Sequence, residues 1–390
     1  MKEYIVTKDI LNIRSSATAE TDDNFIGQLS AGETLYLTDD EIIGVMPQGG
    51  QTNIWKTDNL NRVVSLDGVR LKTYADKKAE FIADTNFSYL HSNTDDETQW
   101  KINWGFVDLE LWKFWEQGFT GKGISVAVID TGIKPQLIGN SQSYLDKISY
   151  NVADKTNVVP DTTDHGTNSA GLIIANGSTG FYGIAPDAQL VMIKANNGQI
   201  FLPDNVALAL EYAKDLPVDI VSLSLVTTTS PKLEQAIDDF LKTGKILLTA
   251  NGDPPSVDGM DMPASYSGTI AIGAYQLDDS FNRAYYPDGS ISSNYLKALF
   301  PGHKLLDVGF SDGVKSFDMS SAATAFACGT LALILCSLSS NNAQPNNQNI
   351  LQLLPNVCEL ISSDNNTSNA NEGFGILNPF MLKSALSQNP

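Results

Sequence analysis

The run Gly121-Lys122-Gly123-Ile124-Ser125-Val126-Ala127-Val128-Ile129-Asp130-Thr131-Gly132 carries the reading of this chain. Apolar, mostly β-branched residues dominate 124–129, and the run ends in a carboxylate followed by the turn signal Thr-Gly. A strand without polar alternation belongs inside a sheet that is covered on both faces. Functional groups of open α/β sheets gather beyond the carboxyl ends of such strands, which makes Asp130 a candidate. Taken by itself, the segment is equally well explained by a carboxylate that caps the next turn.

Working outward, the runs 190–193, 220–225, 245–250 and 269–273 have the same apolar texture and read as buried strands. Between them, 205–214 and 233–242 show helical spacing, with Ala207, Leu210, Ala213 and Ile237, Phe240, Leu241 as apolar faces. Strand and helix in alternation predict an α/β domain over 102–390, a mostly parallel sheet flanked by helices. Residues 1–72 differ: Tyr4-Ile5-Val6, Leu11-Asn12-Ile13-Arg14, Phe25-Ile26-Gly27-Gln28-Leu29 and Thr34-Leu35-Tyr36-Leu37 are short strands between polar turns, which predicts a small all-β domain. The polar stretch 73–101, with Asp84-Thr85-Asn86 and Asp95-Asp96-Glu97, reads as a linker, and 339–349 and 362–372 as loops.

Composition narrows the function. With 25 basic and 45 acidic side chains the formal charge is −20, which repels nucleic acid and anionic lipid. Three cysteines, Cys328, Cys336 and Cys358, lie in mainly apolar surroundings without the count of a disulfide framework and read as buried thiols. Three histidines with no paired Cys/His spacing leave little to build a zinc site from. The N-terminus lacks the apolar stretch of a secretory signal, and no run of about 18 consecutive apolar residues predicts a membrane span. Met1 inclines the reading toward a cytoplasmic product, or a secreted one if a leader preceded it.

Two further segments carry chemistry-bearing side chains. In Asp164-His165-Gly166-Thr167-Asn168-Ser169-Ala170-Gly171 an imidazole opens a small-residue segment, which lets a helix pack closely and sets the ring at its N-terminus. In Ser320-Ser321-Ala322-Ala323-Thr324-Ala325-Phe326 a hydroxyl heads a small-residue helix, where free N–H groups and the positive dipole end are on offer. Alone, the first is an ordinary histidine and the second an ordinary N-cap serine.

Together, in the order Asp, His, Ser, the three segments resemble the motifs V-A-V-I-D-T-G, H-G-T-x-x-A-G and G-T-S-x-A-T-A-F of the subtilisin-like (subtilase) serine peptidases. Gly183-Ile184-Ala185-Pro186-Asp187-Ala188, Pro301-Gly302 and Gly373-Phe374-Gly375-Ile376-Leu377-Asn378 resemble further family turns, so the likeness extends over about 100–386. It implies a serine endopeptidase acting on protein or peptide substrates through an acyl-enzyme, with Asp130, His165 and Ser321 as the triad. It also implies an oxyanion hole made by Asn251, in a segment resembling the family's A-x-G-N turn, with the Ser321 backbone N–H. Ser224, Leu225 and Val226, in place of the family's S-L-G-G, are the implied substrate-binding strand. No cofactor is required, and a structural Ca2+ is admitted without any residue being assigned to it.

The pattern L-N-I-R, then I-G-Q-L and Gly32, resembles bacterial SH3-like domains. Such modules often bind peptide or cell-wall ligands, but for 1–72 a passive packing or positioning role is the preferred reading and a binding module the alternative, because likeness of fold alone licenses no ligand. Against the subtilase motifs, Met319-Ser320-Ser321 replaces G-T-S, and the A-T-A-F register selects Ser321 over Ser320. Met319 in place of Gly, with the altered substrate strand, motivates one alternative, a catalytically weak or silent subtilase fold used for binding or scaffolding; a narrow-specificity processing peptidase, compatible with a cytoplasmic location and SH3-mediated targeting, is another.

Overall fold

The computed structural model describes residues 2–6, 10–14, 25–30, 34–45, 52–58, 63–65, 69–91, 94–95, 97, 100–140, 142–198, 200–255, 261–306, 316–339, 345–361 and 370–388. The chain divides into two compact units, Met1–Lys77 and Lys78–Pro390.

In the first unit, seven strands form one antiparallel sheet: β1 (Lys2–Val6), β2 (Ile10–Arg14), β3 (Phe25–Ser30), β4 (Thr34–Val45), β5 (Thr52–Asp58), β6 (Val63–Ser65) and β7 (Val69–Leu71). Their spatial order is β3-β2-β6-β5-β4-β1-β7. The four strands expected from the sequence fall on β1 to β4, and the L-N-I-R and I-G-Q-L segments pair as β2 and β3. Gly32 lies outside the described residues.

In the second unit ten of the described strands build one sheet, and the others form two small two-stranded ribbons. In chain order the ten are β8 (Ser125–Asp130), β9 (Tyr150–Asn151), β10 (Gln189–Lys194), β11 (Ile220–Leu223), β12 (Ile246–Ala250), β13 (Ile270–Leu277), β14 (Arg283–Tyr285), β15 (Leu296–Pro301), β16 (Cys358–Glu359) and β17 (Ile376–Leu377). The sheet runs β16-β17-β15-β13-β12-β11-β8-β10-β9, with β14 on β13. Every pairing is parallel except β13 with β14 and β16 with β17. Val126 to Ile129 are almost wholly shielded, as a two-faced apolar strand must be.

Helices cover the sheet. Each of α3 (Pro203–Asp215) and α4 (Pro231–Leu241) opens with a proline in its first turn, where the missing N–H is no loss. The Ser230 hydroxyl caps α4 by accepting from the Leu233 N–H. Val206, Leu210, Leu233, Ile237 and Phe240 then close over Ile129, Ile193, Val221 and Leu247. On α5 (Met319–Leu338) nearly every side chain is buried, so it has no polar face. Among the described residues it alone is long and apolar enough to cross a bilayer, yet 94% of its apolar window is buried in the fold. Its composition is that of a core helix.

The stretch 73–101, expected as a linker, departs from that reading. It contains helix α1 (Tyr74–Ala83), a short helical segment Ser88–His91, and buried Phe81, Phe87, Leu90 and Trp100. The Phe81 ring meets those of His91, Trp100 and Trp112 at 5.1, 5.5 and 5.5 Å. Charged residues at the ends of the stretch conceal aromatics spaced to reach one cluster, and burying these outweighs the polar appearance. Similarly, the capping box of Asn346 with Asn349 starts the helix Asn347–Val357 inside the expected loop 339–349.

Phe81→Ala should therefore lower unfolding stability by about 3–5 kcal/mol, read from the chemical denaturation midpoint. A change within about 0.5 kcal/mol, the behaviour of a surface position, would restore the linker reading.

Candidate active site

Asp130 ends β8 with no exposed surface. A buried carboxylate must be satisfied by donors, and this one has three. Oδ1 accepts from the Thr131 N–H at 2.7 Å and lies 2.7 Å from His165 Nδ1, while Oδ2 accepts from the Ser169 hydroxyl at 3.0 Å.

His165 opens helix α2 (His165–Ile174), directly after Asp164 in the left-handed conformation at φ 67°. Gly166 makes the approach feasible: a Cβ there would fall 2.3 Å from the Gly132 carbonyl oxygen and 3.1 Å from Asp130 Cβ. A second buried carboxylate, Asp161, holds the helix start by accepting from the Thr167 N–H at 2.8 Å, the Thr167 hydroxyl at 2.6 Å and the Thr131 hydroxyl at 2.9 Å. Burial would raise the Asp161 carboxyl, but these donors outweigh it and leave it below the usual range. At His165 burial pulls the imidazole down; the charge and hydrogen bond of Asp130, then Asp161 and Asp253, outweigh it and hold the ring above its ordinary value. The ring also stands edge-on to Phe317 at 5.3 Å.

Ser321 lies in the first turn of α5 and is half-buried. Its hydroxyl donates to the Ser224 carbonyl at 3.2 Å, and the Ser224 hydroxyl donates back to the Ser321 carbonyl at 2.9 Å. Among the described residues no hydrogen bond joins Ser321 to His165; bonds of this kind are often loose before substrate binds. Ser224 and Leu225 are buried and Val226 half-buried just beyond β11, so the side chains of the first two are not open to a ligand while that of Val226 is in part. The Ser224 carbonyl is already taken by Ser321. Ser320 faces inward, donating from its N–H and its hydroxyl to Asp253 Oδ1 at 2.9 and 2.7 Å.

The expectation for Asn251 is corrected. Its side chain is fully buried; Nδ2 donates to the Ile291 carbonyl at 2.6 Å and to the Ser290 hydroxyl at 3.4 Å, and Oδ1 accepts from the Ser293 hydroxyl at 2.6 Å. It locks a turn and has no donor to spare for a cleft. The residue that reaches the head of α5 is Asp253, which the sequence reading missed. Register contained the signal: in A-x-G-N the polar residue follows the glycine, and here Asp253 follows Gly252. Burial raises its carboxyl, with the Ser320 bonds and His165 partly opposing.

Met319, where the resemblance expects glycine, sits at φ 74° with 40% of its surface exposed. Its N–H donates to the Gly302 carbonyl at 2.7 Å. The left-handed backbone persists without the residue that adopts it at no steric cost. Cys328 and Cys358 are buried thiols, pushed up by burial, and Cys336 is partly exposed. Among the described residues no group of three or more His, Cys, Asp or Glu could hold a metal ion, so calcium is assigned no site.

A parallel sheet bearing a buried carboxylate on an imidazole, with a serine at the head of a core helix, defines a hydrolase-like α/β protein. Residues 121–375 match the subtilase family, Peptidase S8, and the chain belongs to that family. Among its relatives, the minor extracellular protease Epr of Bacillus subtilis is 31% identical over 211 residues, covering 52% of this chain and 31% of Epr. Alkaline elastase YaB of a Bacillus species is 28% identical over 260 residues, 64% of each chain. The major intracellular serine protease of Bacillus subtilis is 29% identical over 237 residues, 57% of this chain and 71% of that one. This chain thus spans about a third of Epr and just under two thirds of YaB. The solved structure of fervidolysin from Fervidobacterium pennivorans, described as a keratinolytic enzyme related to subtilisin, superposes with a TM-score of 0.61 at 21% identity, covering 74% of this chain and 46% of that one.

Met319→Gly should stabilise the protein by about 1 kcal/mol, since the strain of a non-glycine residue at this φ exceeds the entropy that glycine loses on folding. The denaturation midpoint is the measurement, and an unchanged or lowered value would show that Met319 is not strained.

Proposed function

We propose that this chain is a serine endopeptidase that cleaves peptide bonds of protein or peptide substrates through Asp130, His165 and Ser321. The observation that carries the proposal is the 2.7 Å contact of His165 Nδ1 with the buried Asp130 carboxylate. That contact sets the tautomer with the proton on Nδ1, leaving Nε2 as the base.

In the reaction, the Ser321 hydroxyl leaves the Ser224 carbonyl and gives its proton to Nε2 as Oγ bonds to the substrate carbonyl carbon. The carbonyl π pair moves onto oxygen. Collapse of that intermediate expels the amine, which takes the proton back from the imidazolium, and water repeats the sequence on the acyl-enzyme. The backbone beyond β11 is positioned to line an extended peptide. A cytoplasmic setting and a peptide-binding role for residues 1–72 belong to the same proposal.

A silent binding or scaffold role draws support from one feature, a carboxylate rather than an amide at the head of the nucleophile helix. Labelling separates the two. A fluorophosphonate should label the intact protein and the Ser320→Ala variant but not Ser321→Ala. Ser321→Ala and His165→Ala should each lower kcat by about 10⁶-fold, a magnitude established on a subtilisin. No labelling and no turnover in the intact protein would favour the scaffold.

A further inference from the structure

The head of α5 presents a chemical problem. A peptide carbonyl attacked by Ser321 develops a negative oxygen, which needs donors in a partly dehydrated site. The Ser321 N–H is one: in the first helical turn it has no carbonyl four residues back within the helix. Asn251, the amide that the sequence suggests as the other, is turned away and committed to Ile291. The side chain in its place is Asp253, half-buried, bonded to the residue before the nucleophile and close enough to His165 for their charges to act on each other. An ionised carboxylate there would repel the oxyanion.

Resting on the peptidase reading above, we propose that Asp253 acts as a neutral carboxylic acid, donating the second hydrogen bond to the oxyanion opposite the Ser321 N–H. Both bonds from Ser320 end on Oδ1, which leaves Oδ2 without a protein partner among the described residues. A proton on Oδ2 converts that oxygen from acceptor to donor and leaves both Ser320 bonds intact. Neutral carboxylic acids are known to serve as oxyanion donors where an apolar site keeps them protonated.

Two titratable groups face Asp253: His165 from α2, and Tyr286, just after β14, whose own ionisation Asp253 opposes. Burial favours the neutral acid and outweighs the opposing pull of the two Ser320 hydrogen bonds and, after them, of the His165 imidazolium, each of which favours the carboxylate. Turnover needs a neutral His165 and a protonated Asp253, so the pair must hold one proton, on the acid and not on the ring. Two coupled groups sharing one proton give a bell-shaped profile whose limbs belong to the pair. Below the lower limb both are protonated and the base is lost; above the upper limb both are deprotonated and the donor is lost. Between them the productive arrangement competes with the ion pair of imidazolium and carboxylate, which lowers the maximum without moving the limbs.

Asp253→Asn removes the competition, since an amide donates at any pH while its oxygen still accepts from Ser320. It should raise kcat/KM on a peptide substrate at least tenfold at neutral pH and replace the bell with a single rise that levels off above the His165 limb. Asp253→Ala, which has no side-chain donor, should fall below Asp253→Asn by about 10²–10³-fold in kcat, with thermal unfolding of each variant checking that the fold persists. An Asp253→Asn profile identical to the intact protein's would overturn the proposal while leaving the peptidase reading in place, as would Asp253→Ala matching Asp253→Asn. Absence of turnover and of Ser321-dependent fluorophosphonate labelling in both the intact protein and Asp253→Asn would remove the two readings together.

Discussion

The arrangement of the site depends on one hydrogen bond, between His165 Nδ1 and the shielded carboxylate of Asp130. Removing a carboxylate from water is costly unless donors replace the lost hydration, and Thr131, Ser169 and His165 do so from three directions. For the imidazole to be one of them, the first turn of α2 must lie almost against the end of β8. That approach exists because residue 166 has no Cβ to collide with the Gly132 carbonyl. Asp161 pins the same turn from the other side through Thr131 and Thr167. Backbone packing and ring orientation are thus the same constraint.

Helix α5 obeys a different constraint. α5 is apolar all round because sheet, helix and the C-terminal segment enclose it, so its head can be placed with little freedom. Two irregularities stand at its start. Met319 is held at positive φ with its N–H on Gly302, and Ser320 is turned inward onto Asp253. A strained backbone and the burial of a carboxyl each cost free energy, and their concentration around Ser321 is the pattern expected where a fold is shaped for chemistry.

Much of the fold was legible because buried parallel strands leave a mark that needs no partner to interpret. Val126 to Ile129 can be nothing but covered on both faces, and the runs at 190–193, 220–225, 245–250 and 269–273 follow the same logic onto β10 to β13. Phe81, Phe87 and Trp100 were not legible in this way, since aromatics scattered among Asp, Asn and Lys gain meaning only when a distant surface, here Trp112 and Phe106, receives them. The Asn346 cap was likewise hidden in an Asn/Gln-rich stretch whose composition suggests a loop.

By itself the sequence determined the parallel α/β architecture, because buried strands and amphipathic helices leave a local periodicity, whereas Asp130, His165 and Ser321 stood out only through the resemblance of their three segments, in that order, to subtilase motifs, since each alone fits a structural role. Only the tertiary structure decided which polar group stands at the head of α5. Asn251 and Asp253 share one turn, two residues apart; the register of A-x-G-N favours the residue after Gly252 while residue type favours the amide, so the local sequence points both ways. What turns the amide away is its bonding with Ile291 and Ser293, some forty residues further on, and what draws the carboxyl in is Ser320. Hydrogen-bond partners so remote in the chain are set by how the sheet and its loops close, and no local pattern encodes them.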